Sequence, residues 1–570
     1  MENNRIYDTI IKSEPITKGW SEDKKYCVTI KDGTKYLLRI SPISRYEMRK
    51  FLFAMMEQVA ALDIPMCTPV EFGTCDDGVY VLHSWIYGED LRDIMPKLSD
   101  TEQYILGLKS GDILRKMHSI PAPDTQEEWE SRFNKKTDRR IKTYQEYKAR
   151  TLTSIIEEHF LDYVESNRKL LANRPQCFQH GDYHEGNMMI KNGELIIIDF
   201  DRYDFGDPWD EFNRITFSAA ASPYFATGQL RGYFGGEPPL EFFKLLMFYI
   251  SSNQLGAVGW AHSFGESEVV FAKRQNEEIL CWFDNMNNPV PSWYLKDFHI
   301  QYIDGIPFKL KTPFDFSFLH KYGKVFKIYD NQDSGNICFG VADNENKYFV
   351  KFAGAPTERA CVSIEEAVAN LKRTVPVYRD LAHHTLVKLI NAEEIGNGFA
   401  MIFEWVDAEC MHWMYPSARE KFMQMPIESK LQVFEDILDF HAHVVNQGYV
   451  AIDFYDGSIM YDFNNEKTII CDIDFYSKMP YINNMGRMWG SSRFMSPEEY
   501  ELGAVIDEIT NVYTMGATAF ALFGDEHDRC IEKWKLSEKL FHVAKKAVSD
   551  ERDQRQQSIK QLIEEWRTAK

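Results

Sequence analysis

The sequence predicts an α+β chain built as two tandem bilobal modules, residues 1–297 and 298–570. Three observations carry this. First, 570 residues exceed what one ordinary hydrophobic core supports. Second, both halves run through the same order of elements, a strand-rich lobe feeding a helical lobe. A doubly wound parallel sheet would alternate strands and helices throughout. Third, Asn287–Asn288–Pro289–Val290–Pro291–Ser292 punctuates the middle of the chain, and its prolines disfavour helix on either side.

Each half opens with alternating, β-branched segments around a glycine, Tyr26–Arg39 in the first and Tyr322–Lys351 in the second. An amphipathic helix follows, over Tyr46–Leu62 and over Ile364–Leu371. Next comes a short apolar strand, Val79–Ile86 or Ala400–Val406. Long helical patterns complete each half, including Lys430–Val445 in the second.

Composition bounds the function. A hydrophobic fraction of 44% and an aromatic fraction of 14% suit globular cores, and 26% charged residues argue against wholesale disorder. The net charge of -21 excludes a general nucleic-acid binder, which needs a basic surface to displace counterions. It is compatible with a cationic substrate, although a total says nothing of one pocket. Ten scattered cysteines form no C-x-x-C pair. The opening MENNRIYDTI has neither a basic nor an apolar leader segment, and no run is long enough to span a membrane. The expectation is a cytoplasmic protein with neither nucleic acid nor membrane as partner.

The strongest chemical signal is Gln179–His180–Gly181–Asp182–Tyr183–His184–Glu185–Gly186–Asn187, followed by Ile196–Ile197–Ile198–Asp199–Phe200–Asp201. Asp182 and Asn187 stand five positions apart, and Asp199 ends an apolar strand 17 residues after Asp182. Phosphoryl transfer to a hydroxyl needs a carboxylate near the nucleophile and oxygen ligands for Mg²⁺ over the phosphates. Asp182 is the candidate base, with Asn187 and Asp199 as metal ligands. His180 reads as structural, bonded to backbone.

These residues resemble the catalytic signature of the aminoglycoside phosphotransferase family, a branch of the protein-kinase-like fold, over about 290 residues. The resemblance implies ATP or GTP with Mg²⁺ as cofactors and a small-molecule hydroxyl as acceptor, from aminoglycosides to choline, homoserine and similar small alcohols. It implies that Gly19–Trp20–Ser21–Glu22–Asp23 covers the phosphates, with Ser21 as a contact. Arg39 stands where the kinase pattern has a phosphate-binding lysine, with Glu47 as its candidate acidic partner. The resemblance also makes Trp85 and Ile86 part of a hinge that bonds the base through backbone. Residues 124–156 and 206–282 are expected to build the acceptor pocket. There Asp207, Asp210 and Glu211 could meet a polycation, while Asp207 reads better as a brace of the catalytic loop.

The second half resembles a Ser/Thr protein kinase over about 270 residues, through Lys351 on a strand, a hinge at Glu404, Asp453 as base and Asp472 as metal ligand. Asp472 lies 19 residues after Asp453, which repeats the first half's spacing within two. Ser458 takes the place of the metal-binding asparagine, and Ala451, Ile452 and Tyr455 replace other loop residues of that pattern. Glu498 and Arg555 match a pair that pins the activation segment. Asn511 replaces the aspartate of the central helix. The resemblance implies a second module that is either an active protein kinase or a regulatory unit. The leading reading is a small-molecule kinase joined to a protein-kinase-like partner with a regulatory or protein-phosphorylating role. The alternatives are a protein kinase regulated by the first module and a non-catalytic tandem scaffold.

Overall fold

The computed structural model describes residues 5–17, 23–151, 156–262 and 265–570, and mixes helices with small antiparallel sheets. It divides into two compact units, Met1–Asp297 and Phe298–Lys570. Among the described residues, no helix is long and apolar enough to cross a membrane.

The first unit begins with five antiparallel strands: β1 Ile10–Pro15, β2 Lys24–Ile30, β3 Lys35–Ser41, β4 Pro69–Cys75 and β5 Gly78–Ser84. Their spatial order is β1-β2-β3-β5-β4, with helix α1, Tyr46–Ala60, connecting β3 to β4. The period of two sorts β3. Leu38 and Ile40 join Val28, Tyr80 and Leu82 in a core on one face. Leu37 and Arg39 instead line a cavity with Val81 and His83 of β5. The expected opening at Tyr26 missed β1, whose exposed positions carry no alternating apolar pattern.

The helical part is held by a larger core. Helices α2, Asp100–Met117, and α3, Pro223–Phe234, cross in close contact because glycines meet at the crossing. A Cβ on Gly107 would lie 2.2 Å from the Phe225 carbonyl oxygen, and one on Gly111 2.1 Å from that of Gln229. Gly228 and Gly232 on α3 face the α2 backbone as tightly.

The second unit repeats the sheet order with strands β6 Lys324–Tyr329, β7 Asn336–Ala342, β8 Lys347–Ala353, β9 Leu389–Ile395 and β10 Gly398–Glu404, arranged β6-β7-β8-β10-β9. A hairpin of His299–Ile303 and Ile306–Leu310 precedes it. The connecting helix runs from Ile364 to Asp380, past the expected end at Leu371. It contains Pro376, which removes one backbone hydrogen bond. Buried Leu371, Val375, Val377 and Tyr378 on both sides of the proline hold the helix to the core.

Candidate active site

The base, metal and phosphate candidates of the first unit lie around one loop and one strand. Strand Cys177–Gln179 leads into Gly181, whose φ is +82° and whose added Cβ would meet the Arg202 carbonyl oxygen at 1.8 Å. Only glycine fits that turn. His180 bonds the Ile198 carbonyl oxygen through Nε2 (3.0 Å) and accepts from the Asp182 N–H through Nδ1 (3.3 Å). Its role is structural, as the sequence suggests. The hairpin Met188–Lys191 and Glu194–Ile197 then carries the chain to Asp199, which adopts a left-handed φ of 64°. Such a conformation is strained for a non-glycine residue and is held by its surroundings.

Asn187 Nδ2 donates to the Asp182 carbonyl oxygen at 2.8 Å and to Asp182 Oδ2 at 3.3 Å. The amide nitrogen is thereby committed to the base, which leaves Oδ1 as the free donor atom for a cation. Burial raises the Asp182 carboxyl, but His184 (3.8 Å), Arg214 (3.2 Å) and Arg202 (3.8 Å) outweigh it and hold the group well below the usual carboxylate range. Asp199 is likewise held low: Arg39 and Lys25 overcome its burial. Oxygen donors from Asn187 and Asp199 suit a hard divalent cation.

Arg39 occupies the lysine position and is 6% exposed. Its Nε donates to Asp23 Oδ2 (2.9 Å), one Nη to Asp199 Oδ1 (3.2 Å), and the other Nη pairs with Asp201. Glu47 is not its partner. Glu47 is exposed, and α1 instead presents buried Arg49. Arg49 donates to Ser41 Oγ (2.9 Å), to Asp201 Oδ1 (2.6 Å) and to Asp23. The expected lysine–glutamate pair is thus replaced by two arginines bridged through two aspartates. The signal was present in the sequence: Arg49 shares the helix face of Leu52, Met56 and Val59, where a cation demands buried partners. Asp201 stood in the quoted motif but drew no assignment.

These groups bound a cavity of about 330 Å³, lined by Arg39, Asn187, Asp199, His83 and the hinge Ser84–Trp85–Ile86. His83 was also missed by sequence reasoning. Burial and the nearby Arg39 and Arg49 push its imidazole down to about 3, so it stays neutral. Of the expected phosphate-covering turn, Ser21 and residues 19–22 lie outside the described residues.

The three acidic acceptor candidates are enclosed. Asp207, fully buried, accepts from Arg174 Nε (2.6 Å), Tyr249 OH (2.6 Å) and the Trp209 N–H (2.9 Å), so its carboxylate is consumed outside the loop it was expected to brace. Glu211 accepts from the Gly181 N–H at 3.0 and 3.1 Å. Burial raises Asp210.

The second unit differs at the same positions. Lys351 Nζ donates to Asp474 (2.6 Å) and Asp472 (3.1 Å), and Tyr378 OH also donates to Asp474 (3.0 Å). Asp453 has carboxylates rather than arginines around it. Burial, Asp472 and Glu499 push it up to about 7. Ser458 is fully buried, and its Oγ has no hydrogen-bond partner among the described residues. Glu404 is exposed at the end of β10. Asn511 exchanges two 2.8 Å hydrogen bonds with the backbone of Ala451. Glu498 and Arg555 form a buried bidentate pair at 2.8 and 3.0 Å, as the resemblance to protein kinases implied.

Residues 12–243, within the first unit, match the phosphotransferase enzyme family. The chain is an enzyme of the phosphotransferase class. No curated protein matches it. Three solved structures are similar to parts of it. A thermostable mutant of aminoglycoside phosphotransferase APH(4)-Ia is 16% identical, over 48% of this chain and 94% of that one, with a TM-score of 0.36. Amicoumacin kinase hAmiN, in complex with AMP-PNP, Ca²⁺ and Ami, is 17% identical over 49% and 90%, with a TM-score of 0.37. A choline/ethanolamine kinase family protein from Mesorhizobium loti is 13% identical over 49% and 91%, also at 0.37.

Proposed function

We propose that the first unit transfers the γ-phosphoryl group of ATP, with Mg²⁺, to a hydroxyl of a small molecule. The observation that carries this reading is the hydrogen bond from Asn187 to Asp182, with Asn187 and Asp199 both lining a cavity that also holds Arg39 and the hinge. Arg39 and Lys25 would meet the phosphates, and Trp85 and Ile86 the base. Asn187 and Asp199 would hold the divalent cation, which when bound neutralises phosphate charge. Asp182 orients the acceptor hydroxyl through a hydrogen bond. Held low by its cations, it is a weak base and takes the proton late, as the hydroxyl oxygen bonds to phosphorus and the bond to ADP breaks.

The second unit reads as a second kinase-like module, because it repeats the sheet order and places Lys351, Asp453 and Asp472 at matching positions. We assign it a regulatory rather than a protein-phosphorylating role on one observation: the place of the metal-binding asparagine is taken by Ser458, which is fully buried and offers a single oxygen. Acceptor-dependent ADP release from the full chain tests both assignments. Asp182→Ala should abolish it and Asp453→Ala should spare it; the opposite pattern would move the active site to the second unit.

A further inference from the structure

The aspartate read as the base is surrounded by cations, and further cations lie on the helix Trp129–Thr151. Arg214 Nε lies 3.2 Å and Arg202 Nε 3.8 Å from Asp182. Helix Trp129–Thr151 presents Arg132, Lys136 and Arg140 at successive i+4 positions, hence on one face. Arg132 is taken by Asp204 at 2.8 Å. Lys136 reaches Asp210 only at 3.9 Å. Arg140 has neutral partners alone among the described residues, donating to Ser252 Oγ (3.2 Å) and Asn253 Oδ1 (2.9 Å). Burial brings the Arg140 guanidinium down to about 10; the Asp210 carboxylate works against this and the charge of Arg214 adds to it.

The opposing carboxylates do not balance this group. Asp210 is enclosed and is one carboxylate facing two cations, Lys136 and Arg140, while Asp207 is held by Arg174 and Glu211 by the Gly181 N–H. A half-buried guanidinium with only a hydroxyl and an amide oxygen as partners is a costly arrangement, and an anion relieves it. Among the described residues, a polycation would meet Arg202, Arg214, Lys136 and Arg140, with Asp182 and the enclosed Asp210 as the opposing carboxylates.

We infer that the acceptor is a hydroxyl compound carrying an oxyanion, a carboxylate or phosphate, whose negative group is bound by Arg140 with Lys136 and Arg214 while its hydroxyl meets Asp182. The inference rests on the proposed phosphotransferase site in the first unit and adds the charge of its substrate. It reverses the cationic substrate that the net charge of the chain allows.

The test is calorimetric binding of four probes to the full chain saturated with AMP-PNP and Mg²⁺: 3-hydroxypropanoate, 2-hydroxyethyl phosphate, 3-hydroxypropanamide and choline. One or both anions should bind more tightly than the amide and choline, and their ranking separates carboxylate from phosphate. Arg140→Met should weaken the preferred anion about tenfold or more, as expected for losing a charge-assisted hydrogen bond. Arg140→Lys, which keeps the charge, should weaken it less, and retained AMP-PNP binding shows that both variants are folded. Tighter binding of choline or the amide, no binding of either anion, or an unchanged affinity in Arg140→Met would each overturn the inference. Failure of AMP-PNP to bind at all would instead overturn the reading beneath it.

Discussion

Arg39 on strand β3 and Arg49 on the following helix both donate to one oxygen, Asp23 Oδ2. Two guanidinium groups within a nearly dry site are tolerable because Asp23 and Asp201 bridge them. Removing a bridge leaves buried positive charge without compensation. Asp23→Asn should therefore destabilise the first unit by about 3 kcal/mol or more, measured by denaturant unfolding. Glu47→Gln, at the exposed position once expected to hold the pair, should change stability by less than about 0.5 kcal/mol. Similar effects of the two substitutions would refute the bridged arrangement.

Asp182 gives a kinetic prediction. With its carboxyl held below the ordinary range by His184, Arg214 and Arg202, it is ionised throughout the pH range where the protein would be assayed. Activity should not fall through protonation of Asp182 above about pH 5, since an ordinary aspartate already ionises near 3.9. The sign follows from the direction of the shift. A depressed carboxyl contributes stability above its unfolded value and loses it only as pH falls through the lower folded value. Asp182→Asn should cost about two to four decades in turnover while AMP-PNP affinity holds. A turnover limb near neutrality that disappears in this variant would show the group to be a stronger base than argued.

Much of this site was legible because its chemistry is written in short spacings. Asp182, Asn187 and Asp199 lie on one loop and one hairpin, so sequence separation maps onto space. The strand segments that follow β1 and the connecting helices followed from period and length for the same local reason. What sequence reasoning missed depends on contacts between distant segments: Arg49 reaches Asp201 across 152 positions, and Arg140 reaches Asn253 across 113. Glu47 was preferred because the lysine–glutamate pattern was carried over whole. The strand carries arginine where that pattern has lysine, and the helix presents a cation of its own, Arg49.

The crossing of α2 and α3 belongs to the unread part, although Gly107, Gly111, Gly228 and Gly232 were visible at spacings of four. Backbone meets backbone there, so a single methyl has no flexible neighbour to displace. Gly111→Ala should destabilise by about 1–3 kcal/mol, the usual cost of overpacking. Gly236→Ala is the control, because open space surrounds that position. Thermal unfolding of both variants checks this. Equal midpoints would show that the helices separate without cost.

Asp453 sets the opposite pH dependence from Asp182. Burial and the carboxylates of Asp472 and Glu499 raise it to about 7, so the folded second unit holds a proton that the unfolded chain releases near 3.9. A raised carboxyl contributes most below its unfolded value, and its contribution is lost as pH rises toward the folded one. The loop around Asp453 should therefore become easier to open between about pH 4 and pH 7. Asp453→Asn keeps the shape and removes the charge, so it should stabilise the loop at pH 8 and do little at pH 5. Glu499 is raised to about 7 by its own burial, so part of the slope should persist in the variant. Hydrogen exchange of residues 449–458 in the full chain measures this directly. Equal protection of wild type and variant at pH 8 would show that Asp453 is ionised without penalty.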